Sequence, residues 1–266
     1  MWHKLRSHPF AVSAHFQEAL VLTYACDVGA LQPLVHPGLT LDTYETHDRP
    51  LGFLAIAMVQ VRRLRPAVLP AWMGQSFFLA GYRLFVKRRG PDGRTRRGLQ
   101  ILQSQTDRHL MVLLGNLFTR YNYRRYDVRM QREADRLLVR VQHGRSEPPE
   151  LQATAELQQA ALPPGSPFAH ERDARRFAGP LPWTFDLDPH TYALIAIKGV
   201  RQHWQPRLVT VEVPHNRLLQ RPPFNDATPT LASAFHVSGI DYHWQRGVRE
   251  TITTPRPDAN REPEPC

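Results

Sequence analysis

The sequence predicts a strand-rich α+β domain, from three observations: recurring alternation of apolar and polar residues, a hairpin with an Asp-Gly turn, and few segments with helical apolar spacing. Between Phe16 and Tyr24, residues Phe16, Leu20, Leu22 and Tyr24 share one parity and Gln17 and Thr23 the other, so one face of a strand turns inward. Glu18 breaks that pattern. Asp27 is placed to cap a short helix through Val35, which His36-Pro37-Gly38 stops. Leu39 to Tyr44 and Leu51 to Val61 read as two further strands, parted by the polar turn Glu45 to Pro50.

The clearest local unit is the hairpin from Tyr82 to Gln103, with Asp92-Gly93 supplying the positive φ angles of a tight turn. Centred there, Val86 faces Leu99, Leu84 faces Ile101, Arg89 faces Arg96 and Arg88 faces Arg97. Each facing pair of guanidinium groups opposes strand pairing by roughly a few tenths of a kcal/mol. The tip is therefore either splayed in water or quieted by an anion.

Thr106 or Asp107 next caps a helix that buries Leu110, Leu113, Leu114, Leu117 and Phe118. Strands follow over Tyr126 to Arg132 and Arg136 to His143, turned at Ala134-Asp135, with another over Leu151 to Leu157. Ser166-Pro167 reads as a helix start and Gly179-Pro180 as its stop, with Glu171 and Arg175 paired on the exposed side. Strands return over Thr191 to Val200, Arg207 to Val213 and Leu231 to Ile240, the last leading into Tyr242-His-Trp-Gln-Arg-Gly247. One domain over residues 1–250 is expected, since no linker divides the chain, and the Pro-rich polar run 251–266 reads as a disordered tail.

Composition narrows the function classes. The opening residues lack the apolar run of a secretory signal, and Leu51 to Val61 is about half the length that spans a bilayer. Two cysteines, Cys26 and Cys266, make no disulfide framework, so a reducing cytoplasm and no membrane partner are expected. The formal charge of +10 is local: residues 61–145 hold 19 of the 34 Lys/Arg and 5 of the 24 Asp/Glu. No recognisable nucleic-acid module accompanies it, which leaves nucleic-acid binding through Arg88, Arg89, Arg96 and Arg97 as the least favoured partner reading.

Thirteen histidines form no metal-ligand spacing, no Gly-x-Ser-x-Gly elbow is present, and neither dinucleotide nor Walker-type glycine patterns occur. No metal or cofactor is expected. Two clusters remain. In Gly115-Asn116-Leu-Phe-Thr-Arg120-Tyr121-Asn122-Tyr123-Arg124, an amide, phenols and guanidinium groups at a helix end suit a small carboxylate, or else pack and neutralise the helix dipole. In Gly199-Val-Arg201-Gln-His203-Trp204, a Trp beside His and Arg at a strand end either lines a pocket mouth or packs structurally.

The run Tyr24 to Asp42, with Phe78-Leu-Ala-Gly81-Tyr-Arg83, Gly115-Asn116, Tyr121-Asn122-Tyr123, Gly199-Val-Arg201 and Trp204-x-Pro206, resembles the YqjF-like uncharacterised branch of the acetoacetate-decarboxylase-like superfamily. The resemblance covers about Phe10 to Arg249. It implies a bent antiparallel sheet closing into a cone-like barrel with peripheral helices and an internal pocket. In the decarboxylases a lysine attacks the keto acid to form an imine. Laid on that pattern, the nucleophilic lysine becomes Tyr123, its neighbour becomes Arg124, and the acidic residue on the preceding strand becomes Leu79 or Ala80. A phenol forms no imine.

The expected ligand is accordingly a small organic anion or carbonyl compound. Tyr123 is the candidate catalytic proton donor in non-imine chemistry such as dehydration or isomerisation, and Arg83, Asn116, Tyr121, Asn122, Arg124, Arg201 and Trp204 are the candidate binding residues. A non-catalytic binding or sensor module is the alternative, and a homo-oligomer is left open. Lys198 enters only if its strand face lines the cavity; the default is a strand-end lysine reaching water.

Overall fold

The computed structural model describes residues 5–90, 92–144, 147–179 and 181–252. The chain begins with β1 (Val12–Asp27), α1 (Val28–Leu31), β2 (Thr40–Leu41), β3 (Tyr44–Glu45), β4 (Pro50–Pro66), β5 (Gln75–Arg89) and β6 (Thr95–Thr106). There follow α2 (His109–Phe118), β7 (Tyr123–Arg125), β8 (Asp127–Glu133), β9 (Arg136–Gln142), β10 (Leu151–Glu156) and α3 (Glu171–Ala178). The last stretch holds β11 (Trp183–Asp188), β12 (Ala193–Arg201), β13 (Arg207–Leu208), β14 (Thr210–Asn216), β15 (Thr230–Trp244) and β16 (Val248–Thr251). The fold is mainly β, as the alternation predicts. No helix among the described residues is long and apolar enough to cross a membrane.

The strands β15, β1, β4, β5, β6, β11 and β12 pair in that order, and β12 pairs back onto β15 through Gly199 with Trp244 and Arg201 with Tyr242, closing a cone-like ring. All contacts around the ring are antiparallel except β6 with β11. Alternation gives the ring two faces. Leu20, Leu22, Leu54, Ile56, Tyr82 and Leu84 point outward into a core shared with a second sheet, β14-β10-β9-β8, which supplies Leu137, Val139, Leu151 and Ala153. The opposite parity, including Ala19, Ala57 and Val59, points inward.

The hairpin forms one residue out of the expected register: Arg88 faces Arg96, Lys87 faces Arg97, and Val86 faces Gly98. Its connection runs from Gly90 to Arg94, closed by a 2.8 Å bond from the Gly90 amide to the Arg94 carbonyl, so the turn is centred on Asp92 rather than between Asp92 and Gly93. A β-bulge at Leu102 restores the expected pairing beyond it, Tyr82 with Gln103. The anion that quiets the tip is internal. Glu250 of β16 accepts from Arg88 Nε and Arg96 Nη1, both at 2.8 Å, and Arg97 binds Asp42 and lies over the Phe177 ring. Three of the four arginines of the nucleic-acid reading are thus neutralised within the fold.

Several local expectations are corrected. Asp27 occupies the cap position of α1, but its carboxylate binds Thr228 and Arg49. Asp107 accepts from the Phe78 amide at 2.8 Å instead of capping α2. The helix expected at Ser166 starts after His170, while the Ser166 hydroxyl donates to the Ala232 carbonyl. The α3 helix ends at Gly179 as expected; Pro180 lies outside the described residues. β11 was not expected, although Trp183, Phe185 and Leu187 alternate with Thr184, Asp186 and Asp188. The expected tail begins with structured residues: Thr251 ends β16 and Ile252 is buried in the core, whereas 253–266 lie outside the described residues.

Replacing Glu250 by Gln leaves two facing guanidinium groups without their carboxylate. The variant is expected to lose about 3 kcal/mol of unfolding free energy, measured by urea denaturation, and a loss below about 0.5 kcal/mol would reduce the bridge to a surface contact.

Candidate functional site

The inward face of the ring surrounds a cavity of about 460 Å³. Small side chains create it: Ala19, Ala55 and Ala57 stand where larger residues would fill the interior, and α2 and α3 contribute Met111, Gly115 and Ala178 to the wall. Most of the lining is apolar. Arg83, Ser104, Tyr121, Tyr123, Arg201 and Tyr242 form a polar belt; His8, Arg65, Gln75, Thr119 and Thr184 are further polar lining residues, and no Asp, Glu or Lys is among the described ones.

Each motif glycine makes room for one member of that belt. A Cβ on Gly81 would sit 3.2 Å from the Arg83 guanidinium, which curls back along its own strand beside the Leu102 bulge. A Cβ on Gly115 would overlap the Tyr123 ring, and one on Gly199 would overlap the Tyr242 hydroxyl. Asn116 fixes Tyr123 from α2: its Oδ1 accepts from the Tyr123 amide and its Nδ2 donates to the Tyr123 carbonyl, both at 2.9 Å. Gly115 therefore sets which face of α2 turns inward. Met111 and Gly115 are its buried residues, Leu114 and Phe118 line the cavity, and Leu110 and Leu113 are exposed, correcting the expectation that the leucine-rich face is buried.

Arg83, Tyr121, Tyr123, Arg201 and Trp204 are brought together around the cavity. Asn116, Asn122 and Arg124 lie outside the lining: Asn116 is a backbone clamp, Asn122 is exposed with a φ of 49°, and Arg124 is exposed on β7. The side chains of a three-residue strand alternate, so Tyr123 facing in sends Arg124 out. Lys198 is exposed and Lys87 sits by the hairpin tip, so neither described lysine reaches the cavity. Lys4 lies outside the described residues.

Arg83 forms no hydrogen bond or ion pair with any described residue, and its Nε is sealed and unpartnered. Burial lowers its pKa, opposed by the nearby phenols of Tyr242, Tyr123 and Tyr121. A guanidinium still keeps its proton at neutral pH. Arg201 is differently held: it donates to the Tyr242 hydroxyl at 3.3 Å and the Leu181 carbonyl at 3.0 Å, and lies 5.3 Å from the centroids of both Trp204 and Tyr242. The Tyr123 phenol is pushed up to about 12 by burial, partly offset by Arg83 and a hydrogen bond with Ser104. At neutral pH it is a hydrogen-bond donor.

Beside the belt lies a polar group that sequence reasoning missed. The His8 ring lies 4.9 Å from that of Tyr121, tilted by 49°, and His8 Nε2, Tyr121 Oη and Asp186 Oδ2 are all buried without a partner among the described residues. His8 is held down to about 4 by burial. Asp186 is raised to about 7, chiefly by burial, against the Leu187 amide and the Arg120 charge and with Asp188 adding to the rise. Arg120 spends its side chain on Asp188 at 2.9 Å, and Asp188 is also held by Arg249 and Thr191. Two carboxylates on one face of β11 are thus driven apart. Alternation could have placed Asp186 inside; nothing in the sequence marks His8.

The fold of the ring is shared by solved structures. An acetoacetate decarboxylase from Legionella pneumophila superposes with a TM-score of 0.66 at 14% identity, over 92% of this chain and 89% of that one. The enduracididine biosynthesis enzyme MppR complexed with pyruvate gives 0.58 at 12% identity over 92% of each chain, and an acetoacetate decarboxylase-like enzyme from Sphingomonas wittichii RW1 gives 0.55 at 13%, over 92% and 94%. These likenesses establish an acetoacetate-decarboxylase-like fold. No curated protein matches by sequence. Residues 13–239 match DUF2071, described as an uncharacterized conserved protein (COG2071), and the chain belongs to that family.

Two outcomes test this geometry. Gly115→Ala drives a methyl group into the Tyr123 ring and is expected to cost about 1–3 kcal/mol in urea unfolding. Asp186 binds a proton in the folded state up to about pH 7 but in the unfolded state only to about 4, so its contribution to stability falls as pH rises through that window. Asp186→Asn keeps the acceptor for the Leu187 amide and removes the penalty. Its melting temperature is expected to exceed the parent's by roughly 3 °C or more at pH 8, with the gap narrowing toward pH 5; a gap independent of pH would refute the buried-carboxylate assignment. His8 acts oppositely, weakening the fold as pH drops from 6.5 toward 4.

Proposed function

We propose that the cavity binds an organic carboxylate or carbonyl compound without forming an imine. The observation that carries this reading is Arg83: a cation enclosed in the cavity wall with no partner among the described residues, in a cavity whose described lining contains no acid. Leaving such a charge unpaired is costly, and an anionic ligand supplies the missing partner. The Tyr123 phenol, protonated at neutral pH, donates to the ligand oxygen beside the guanidinium. Arg201 adds positive potential nearby, and Arg83 disfavours its charge. Imine chemistry requires a desolvated amine, and no described lysine lines the cavity. The acetoacetate decarboxylase neighbours share the fold, so a pocket inside this ring supports small-molecule binding.

Thermal-shift titration with acetate, pyruvate and acetoacetate provides the test. Saturating carboxylate at about a hundred times Kd is expected to stabilise the protein by about 2.7 kcal/mol, and Arg83→Met to abolish the shift while remaining folded. Borohydride added with pyruvate is expected to leave the protein mass unchanged. A shift that survives in Arg83→Met removes the proposed anchor, and a lysine adduct restores imine chemistry.

A further inference from the structure

The cavity is longer than a small keto acid needs. Its lining follows β5 from Gln75 to Arg83, nine residues of one strand and eight steps, or about 26 Å at the usual rise. The other strands report the same axis through their register. Arg83 is level with Ala55, Gly81 with Ala57, Leu79 with Val59 and Ala19, and Gln75 with Leu64. Between Arg83 and Gln75 the lining residues of β1, β4 and β5 are apolar; Ser104 and Tyr123 add hydroxyls at the Gly81 rung, and Arg65 joins Gln75 at the far end. At the far end Leu69 and Met73 join the lining, and Met73 is 48% exposed, so the cavity reaches the surface at the β4–β5 loop. Toward the other end Phe85, Phe235 and Leu181 close it beneath α3.

A volume of 460 Å³ has room for on the order of fifteen water-sized groups. A three-carbon oxo acid, with about six heavy atoms, occupies less than half of that. The remainder is a mainly apolar channel, whose wall of Ala, Val, Leu and Phe cannot replace the hydrogen bonds of water.

We infer that the ligand is an amphipathic monocarboxylate, its headgroup at Arg83 and an apolar chain of six or more carbons running past Ala19, Val59 and Leu79 toward the Leu69–Met73 loop. The inference rests on the anion site proposed above and adds the chemical class of the rest of the molecule. One carboxylate matches the one guanidinium that has no partner among the described lining residues. The chain displaces water from apolar wall and contributes affinity in proportion to its length.

The experiment is a series of straight-chain carboxylates from two to twelve carbons, each below its micelle concentration, titrated calorimetrically into the full chain and into Arg83→Met. The expected result is a Kd that tightens about fourfold per methylene until the channel is filled, with Arg83→Met weakening every member by a common factor. Ala19→Phe, which narrows the channel at the Val59 rung, is expected to abolish the gain in affinity beyond about six carbons. Should that variant fail to fold, the wild-type series decides alone. Affinity that is flat, or that falls beyond four carbons, overturns the long-chain inference and leaves the anion site standing. Alcohols of equal length that bind as well as the acids remove the carboxylate from both readings, and no binding by any member overturns both.

Discussion

A sheet that closes on itself must enclose something, and that constraint shapes most of this molecule. Closure depends on a short contact, Gly199 to Arg201 of β12 against Tyr242 to Trp244 of β15, together with the equally short parallel contact between β6 and β11. Those segments carry the chemistry. Arg201 and Tyr242 face each other across the closing seam, and β11 brings Thr184 to the cavity and Asp186 behind it. The interior is hollow because its inward parity is built of alanines and valines, while the outward parity of the same strands is built of leucine, isoleucine and tyrosine packed on a second sheet.

Charge is managed unevenly, and the contrast locates the site. The chain is strongly basic, yet the arginines of its densest cluster are absorbed by single acids from remote elements: Glu250 bridges Arg88 and Arg96, and Asp42 takes Arg97. Arg120 and Arg249 share Asp188 in the same way. Against that pattern Arg83 is the exception, enclosed among phenols that do not neutralise it. The fold supplies carboxylates to these arginines and, among the described residues, none to Arg83, and an unmatched buried cation persists only where something else stabilises it.

The three motif glycines give the site its rigidity. Each lies under a polar side chain that a methyl group would displace, and the Asn116 clamp holds the Tyr123 backbone at both its amide and its carbonyl. The sequence analysis drew attention to these segments as possible ligand groups. Asn116 and Asn122 turn out to shape the backbone that presents Tyr121 and Tyr123, an arrangement in which the amides position and the aromatic and cationic side chains face the cavity.

Period-two alternation made β1 legible, and continuous apolar runs bounded by turn residues made β4 and β12 legible, because a strand buried on both faces carries apolar residues at nearly every position. Asp-Gly located the hairpin turn but not its length, and a loop longer by one centre shifted every facing pair near the tip. The leucine count of α2 pointed to the wrong face, since the helix orientation follows the close approach of Gly115 to Tyr123, a contact between residues that no local pattern links.

From residues alone came the strand-rich class, the motif segments, and the replacement of a lysine by a phenol in the resembling family pattern. Which arginines are neutralised, which of the motif residues face the interior, and how far that interior extends were decided by the tertiary structure. Local periodicity records only whether a side chain is inside or outside its own element. Pairing of Arg88 and Arg96 with Glu250, or isolation of Arg83 from every acid, depends on which distant strands meet when the ring closes.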